Sequence, residues 1–349
     1  MIFDGKNVYN EAPGVADDYR KRYVDGVAEF IKNQYAASKQ KRNDFLNISE
    51  LSKAPEKFRN EYRRMLGIDT VPQCGKKAES IYVASDDLCD IFRVTVYPVD
   101  EIPFYCLLLV PHKAKNAPLF IAQHGGGGTP ELCCDIYGKN NYNHLAQRAL
   151  RRGAVVLAPQ LMLWSDVETE TMRCHKIPHD RRGFDNALKC FGFSITGLEI
   201  AGIIKGIDYA CGLPCVDREK IVMAGISYGG YFTLYTMAAD TRIKAGYDAA
   251  AFNDRTVYNW SDWCYKNSAI KFNDAEVAAL CAPRKLYVSV GRQDGVFDYN
   301  YAIAEGERAK EYFKALGCEE NFCFDLWDGG HTIPDNDKPF DFIFSAIDD

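Results

Sequence analysis

The chain has 349 residues, 47% of them apolar, and its 42 basic and 48 acidic side chains leave a net charge of −6. That mixed, slightly acidic surface excludes a basic nucleic-acid footprint, and 14 prolines in so apolar a chain exclude an intrinsically disordered one. No stretch approaches the ~20 consecutive apolar residues of a membrane span, so neither nucleic acid nor membrane is an expected partner.

The N-terminus, Met1 to Asn7, lacks the basic start and apolar run of a secretory signal, which favours the cytoplasm. From about Val15 to Leu66 the chain is charged and helix-prone, with aromatic and aliphatic residues at helical spacing. This pattern predicts two or three amphipathic helices laid against the main body, serving either as a solvated decoration or as a wall of a binding site. Residues 80–110 offer three strand candidates, of which Ile91 to Tyr97 alternates apolar and polar residues as a strand with one buried face does.

From Pro118 onward strand-like and helix-like runs alternate, the signature of a parallel sheet covered by helices on both faces. The run Leu119 to Gln123 reads as a strand leading straight into His124-Gly125-Gly126-Gly127-Gly128. Such glycines let the backbone fold tightly and turn its N–H groups toward an anion. A phosphate-cradling loop is the competing reading, but the lysine and Ser/Thr of a P-loop and the G-x-G-x-x-G of a dinucleotide site are missing. After the strand at 154–158 an insertion from Gln160 to Phe193 carries Trp164, His175, His179, Arg181 and Arg182. The i, i+4 spacing of His175 and His179 suits a metal pair, yet Pro178 between them breaks a helix, and no metal site is assigned.

Glu219 to Ala224 is a buried-strand run, and Tyr231 to Ala239 a buried-helix run. Between them lies Gly225-Ile226-Ser227-Tyr228-Gly229, the strand, G-x-S-x-G, helix context of a nucleophile elbow. Small residues two before and two after the serine relieve the crowding of so sharp a turn and leave the hydroxyl standing above the sheet. A second insertion, 252–272, holds Trp260, Trp263 and Tyr265. Its tryptophans either stack on a sugar or aromatic acyl group or anchor the insertion to the core. Strand Leu286 to Val290 leads to Gly291-Arg292-Gln293-Asp294, and strand Asn321 to Trp327 leads to Asp328-Gly329-Gly330-His331.

A serine hydroxyl needs a base, and of six histidines only His331 sits late in the chain in a glycine-flanked loop after a strand. The base needs a carboxylate, and Asp294 at the end of its own strand is preferred over Asp298, Asp325 and Asp328. Ser227, Asp294, His331 is the chain order of the α/β-hydrolase fold, and the glycine run after His124 matches the HGGG-type oxyanion loop found there. No cofactor is needed for such chemistry. Thirteen cysteines include no C-x-x-C pair and no zinc spacing, and they read as reduced core thiols of a reducing compartment.

From about Phe92 to His331 the chain resembles the dienelactone-hydrolase-like branch of the α/β-hydrolases, which also holds acetyl-xylan-esterase-like proteins. The segments Gly197 to Ala210, Val216 to Ile221 and Ala282 to Leu286 carry the likeness along with the motifs above. The resemblance implies Ser227 as nucleophile, His331 as base, Asp294 as acid, and the N–H groups of Gly126 and Tyr228 as the oxyanion hole. Dienelactone hydrolases themselves use cysteine where Ser227 stands, so their chemistry is not implied. The expected architecture is an N-terminal helical extension, 1–75, before an α/β-hydrolase catalytic domain, 76–349. The expected activity is hydrolysis of small carboxylic esters, such as acetylated sugars, with Trp164 and Trp260 as substrate contacts. A prolyl-oligopeptidase-type peptidase and a catalytically silent binding member are the alternatives, and a homo-oligomer is compatible with all three.

Overall fold

The computed structural model describes residues 12–136, 140–163 and 179–348. Strands β1 (Glu79–Ser85), β2 (Cys89–Val96) and β3 (Phe104–Pro111) form an antiparallel meander at one end of the sheet. The remaining strands are β4 (Ala117–Gln123), β5 (Val155–Pro159), β6 (Val216–Ile226), β7 (Ile243–Ala249), β8 (Lys285–Gly291) and β9 (Phe322–Trp327). These six run parallel to one another, and β3 joins them by pairing antiparallel with β5. The order across the nine-stranded sheet is β1-β2-β3-β5-β4-β6-β7-β8-β9. The parallel strands are covered on both faces, which is why they read in sequence as unbroken apolar runs.

Twelve α-helices flank or extend the sheet among the described residues. They are α1 (Pro13–Phe45), α2 (Ile48–Lys53), α3 (Pro55–Leu66), α4 (Pro130–Cys133), α5 (Leu145–Arg151) and α6 (Arg181–Cys190). The rest are α7 (Ile195–Cys211), α8 (Tyr228–Ala239), α9 (Ser268–Lys271), α10 (Asp274–Cys281), α11 (Tyr299–Ala315) and α12 (Lys338–Phe344). One face of the sheet is packed by α3, α7, α8, α10 and α11, with Phe58, Tyr62, Ile203, Phe232 and Phe313 buried there. The other face is packed by α5 and α12, whose Phe340 and Phe344 stack on Phe120 of β4 at 5.9 and 6.0 Å.

Register decides where the site lies. Gln123 of β4 is level with Gly225 of β6, Gly225 with Asp248 of β7, and Gly291 of β8 with Trp327 of β9. The carboxyl ends of these five parallel strands therefore come out along one edge, and the loops that follow them converge there.

The expectation that the N-terminal helices lie against the body holds for α2, α3 and the last turns of α1. Arg42 inserts between the buried carboxylates of Glu276 (3.0 Å) and Glu305 (3.6 Å) and donates to Ala269 O (3.1 Å). Phe45 packs edge-on against Phe58 and Phe272. The first two-thirds of α1, by contrast, is exposed around nearly its whole circumference, because no other element among the described residues packs against it. Among the described residues no single helix is long and apolar enough to cross a membrane. The twelve described cysteines are free thiols, six of them buried; Cys190 is exposed and Cys323 only half-buried, so not all are core residues.

Candidate active site

Ser227 joins β6 to α8 with φ 58° and ψ −125°, a left-handed-side conformation that costs a non-glycine residue on the order of 1–3 kcal/mol. The surroundings enforce it. Ser227 N–H donates to Ala249 O at the end of β7 (2.8 Å), while its carbonyl accepts from Tyr231 N–H in the first turn of α8 (2.9 Å). A Cβ on Gly225 would sit 2.5 Å from Gly229 C, and one on Gly229 would collide with Gln123 O, so the two glycines are dictated by packing as well as by the turn.

Asp294 lies in the loop after β8. Its Oδ1 accepts from Val296 N–H (2.7 Å) and Phe297 N–H (3.2 Å), and its Oδ2 accepts from His331 Nδ1–H (2.8 Å). Burial alone would raise this carboxyl, but the hydrogen bond and charge of His331, with the two backbone donors, hold it below its ordinary value. One carboxylate oxygen anchored by backbone and the other by imidazole leave His331 Nε2 as the acceptor nitrogen. The competing acids are engaged elsewhere: Asp298 caps α11 through Asn300 N–H (2.9 Å), Asp325 accepts from Tyr287 O–H (2.5 Å), and Asp328 pairs with Arg292 (3.2 Å). No hydrogen bond joins the Ser227 hydroxyl to His331; such contacts commonly tighten only around a substrate.

The loop after β4 lies against the elbow, since a Cβ on Gly125 would come within 2.7 Å of Ile226 O and 3.2 Å of Ser227 Cβ. Gly125 N–H donates to Tyr142 Oη (3.0 Å), Gly128 N–H to Gly125 O (3.1 Å), and Gly127 takes φ 67°. Gly126 at the crest is exposed to solvent. Tyr228 is the first residue of α8, where backbone N–H groups point out of the helix toward the Ser227 side of the turn.

His124, for which the sequence supplied no role, is the post on which this loop stands. It is fully buried; its Nδ1 meets Gly125 O (2.9 Å) and its Nε2 accepts from Leu161 N–H (2.8 Å). Burial pushes its imidazolium down to about 4, against weaker pulls from Gly125 O and Glu131, so the ring is neutral at physiological pH.

The Tyr228 side chain is tied to the two insertions. Its hydroxyl donates to Asp262 (3.1 Å), which accepts from Arg181 Nε (2.8 Å); Arg181 in turn clasps Glu199 with two bonds of 3.0 and 2.8 Å. All four side chains are buried or nearly so, and the bidentate geometry satisfies most of their polar atoms. Burial beside Asp262 drives the Tyr228 phenol far above its ordinary value, so it remains a hydrogen-bond donor. The two tryptophans divide their roles. Trp263 is 1% exposed and anchors the insertion, while Trp260 is 39% exposed and stacks on Tyr228 at 5.8 Å. Phe297 lies 6.0 Å from Trp260 and 5.8 Å from His331, completing an aromatic wall from the elbow to the imidazole.

Trp164 and His175 lie outside the described residues. His179 Nε2 meets Met162 O at 3.2 Å, and among the described residues no group of three or more His, Cys, Asp or Glu side chains has metal-binding geometry. Beneath the elbow, Asp248 is fully buried against Gly230, and neither carboxyl oxygen has a well-formed hydrogen bond. Burial and the nearby Asp274 raise it to about 8, only partly offset by Arg255 and the N–H groups of Ala251 and Phe252.

A model of the prolyl oligopeptidase family matches residues 197–281, from the helix before the elbow to α10. No curated protein matches the chain by sequence. Among solved structures, a provisionally assigned acetyl xylan esterase from Bacteroides fragilis NCTC 9343 superposes with a TM-score of 0.63 at 15% identity, covering 85% of this chain and 83% of that one. A glucuronoyl esterase from Solibacter usitatus gives 0.58 at 14% identity, over 82% and 91% of the two chains. Acetyl xylan esterase 1 from Thermoanaerobacterium sp. JW/SL YS485 gives 0.57 at 12%, over 84% and 94%.

Proposed function

We propose that this chain, which has the α/β-hydrolase fold, is a serine hydrolase of carboxylic esters working through an acyl-enzyme. The observation that carries the reading is the Asp294–His331 bond of 2.8 Å on the same sheet edge as a serine held at φ 58°. His331 Nε2 takes the proton as Ser227 Oγ attacks the ester carbonyl, and Asp294 stabilises the imidazolium so formed. The oxyanion is held by backbone donors at Gly126 and Tyr228, each contributing about 3 kcal/mol to the barrier. His331 then protonates the leaving alcohol, and water repeats the cycle to release the acid.

For the substrate we favour a small acyl group, such as acetate, on a sugar alcohol. The similar structures named as acetyl xylan esterases support that class, and the partly exposed Trp260, one ring removed from His331 across Phe297, offers an aromatic surface on which a sugar ring stacks. The family match over 197–281 favours a second reading, a peptidase. Against it, the similar structures that cover 82–85% of this chain are named as esterases, whereas the family match is confined to residues 197–281.

The test is hydrolysis of chromogenic esters from acetyl to octanoyl, by wild type and Ser227→Ala, with acetylated sugars and prolyl peptides alongside. Cleavage of short esters abolished by Ser227→Ala supports the proposal. Equal rates in both proteins would remove Ser227 as nucleophile, and cleavage confined to peptides would favour the second reading.

A further inference from the structure

The exposed part of α1 is not a polar arm. Val15, Tyr19, Tyr23, Val24, Val27, Phe30, Ile31 and Tyr35 all stand open to solvent, Tyr23 at 75%, Phe30 at 63% and Tyr19 at 62%. At about 100° per residue these eight side chains share one half of the helix circumference, while Asp18, Lys21, Asp25, Glu29 and Lys32 occupy the other. A helix in water draws most of its stability from packing such a face, yet among the described residues the hydrogen bond that ties this face to the body is at its inner end, where Asn259 Nδ2–H donates to Tyr35 Oη (3.2 Å). The inner third is fixed by Arg42 and Phe45, so the outer face is held out from the body in one direction.

We propose that this face is covered by the same face of a second copy, the two α1 helices lying antiparallel about a two-fold axis near residue 25. In that register each residue meets the one whose number brings the pair to about 50. Val15 then faces Tyr35, Tyr19 faces Ile31 and Tyr23 faces Val27, each an aromatic ring against an aliphatic side chain, while Phe30 faces the stem of Arg20 and Val24 faces Gly26. The flanking charges agree. In an antiparallel pair like edges meet, which sets Arg22 opposite Glu29 on one side and Asp17 opposite Lys32 on the other, each contact occurring twice by symmetry. Arg22 is the informative member: it lies over the Tyr19 ring (4.4 Å) and has no acidic partner among the described residues of its own chain. The eight apolar side chains offer on the order of 600 Å² per copy, close to the roughly 800 Å² per partner of a standard interface. A lipid surface fits less well. Between Pro13 and Tyr35 the bases Arg20, Lys21, Arg22 and Lys32 are balanced by Asp17, Asp18, Asp25 and Glu29, whereas membrane-surface helices carry a basic polar face.

Sedimentation velocity over a concentration series tests the pairing. Wild type is expected at twice the 39.3 kDa chain mass, and Tyr23→Glu/Val27→Glu at the single mass with unchanged far-ultraviolet dichroism. Arg22→Glu is expected to raise the dissociation constant roughly tenfold, by losing two ion pairs and creating two repulsions, and Arg22→Glu/Glu29→Arg to restore it. A wild type monomeric throughout, a dimer indifferent to Tyr23→Glu/Val27→Glu, or a charge swap that fails to restore association would each overturn the proposal. Binding of monomeric wild type to phosphatidylserine vesicles, lost in Tyr23→Glu/Val27→Glu, would overturn it in favour of a lipid surface.

Discussion

The neutral imidazole of His124 makes the stability of this protein pH-dependent in a predictable direction. In the unfolded chain the ring takes a proton near its ordinary value of 6.5, but in the fold burial delays protonation to about 4. Between those values the unfolded state binds more protons, so stability falls as pH falls through that window. The gap corresponds to about 3 kcal/mol, a large share of the net stability of a typical domain. Arg181 adds slightly to the effect, and Glu131 opposes it. His124→Gln removes the titration, and its amide oxygen can still accept from Leu161 N–H. Urea unfolding of both proteins at pH 7, 6, 5 and 4 isolates the term, because every other titrating group is common to the pair. The wild type is expected to lose about 3 kcal/mol more than His124→Gln between pH 7 and 4. Parallel stability profiles within about 1 kcal/mol would refute the argument that burial holds His124 neutral.

Asp294→Asn is expected to lower kcat by three to four orders of magnitude, roughly the cost of a misoriented base, with little change in KM; a loss under tenfold would remove Asp294 as the acid. Arg181→Met strands the buried carboxylates of Glu199 and Asp262 and is expected to cost about 3–5 kcal/mol in denaturant unfolding, falling when Glu199→Gln and Asp262→Asn are added. A cost below about 1 kcal/mol would show that the clasp is exposed or replaceable. Asp248, raised to about 8, favours its protonated form in the fold, so its ionisation destabilises progressively as pH rises from the ordinary 3.8 toward 8. Asp248→Asn is therefore expected to gain stability over wild type at pH 8 and to lose that advantage at pH 4; a gain that does not vary with pH would contradict this assignment. Gly229→Ala, whose Cβ would meet Gln123 O, is expected to abolish soluble expression or activity, whereas Gly295→Ala, with open space around it, is not.

What could be read along the chain is local. Sharp turns need glycine at fixed offsets, so Gly225 and Gly229 disclosed the Ser227 turn, and strands buried on both faces disclosed themselves as apolar runs ending at Gln123, Ile226, Gly291 and Trp327. Because loops after parallel strands share one edge of a sheet, strand ends alone placed Asp294 and His331 in the same neighbourhood. Pairing at a distance was invisible. Arg181 reaches Asp262 across 81 positions and Arg42 reaches Ala269 across 227, and neither has a neighbour in sequence that hints at its partner. The division between buried Trp263 and half-exposed Trp260, three residues apart, depends on which side of the insertion the core lies. The same holds for α1: its periodicity announced an amphipathic helix, but a pattern of side chains names a face to be covered and not the body that covers it. Only the packed chain shows that Arg42 and Phe45 are docked while Tyr19, Tyr23 and Phe30 are left facing water, because burial is set by elements far away in sequence and not by the helix itself.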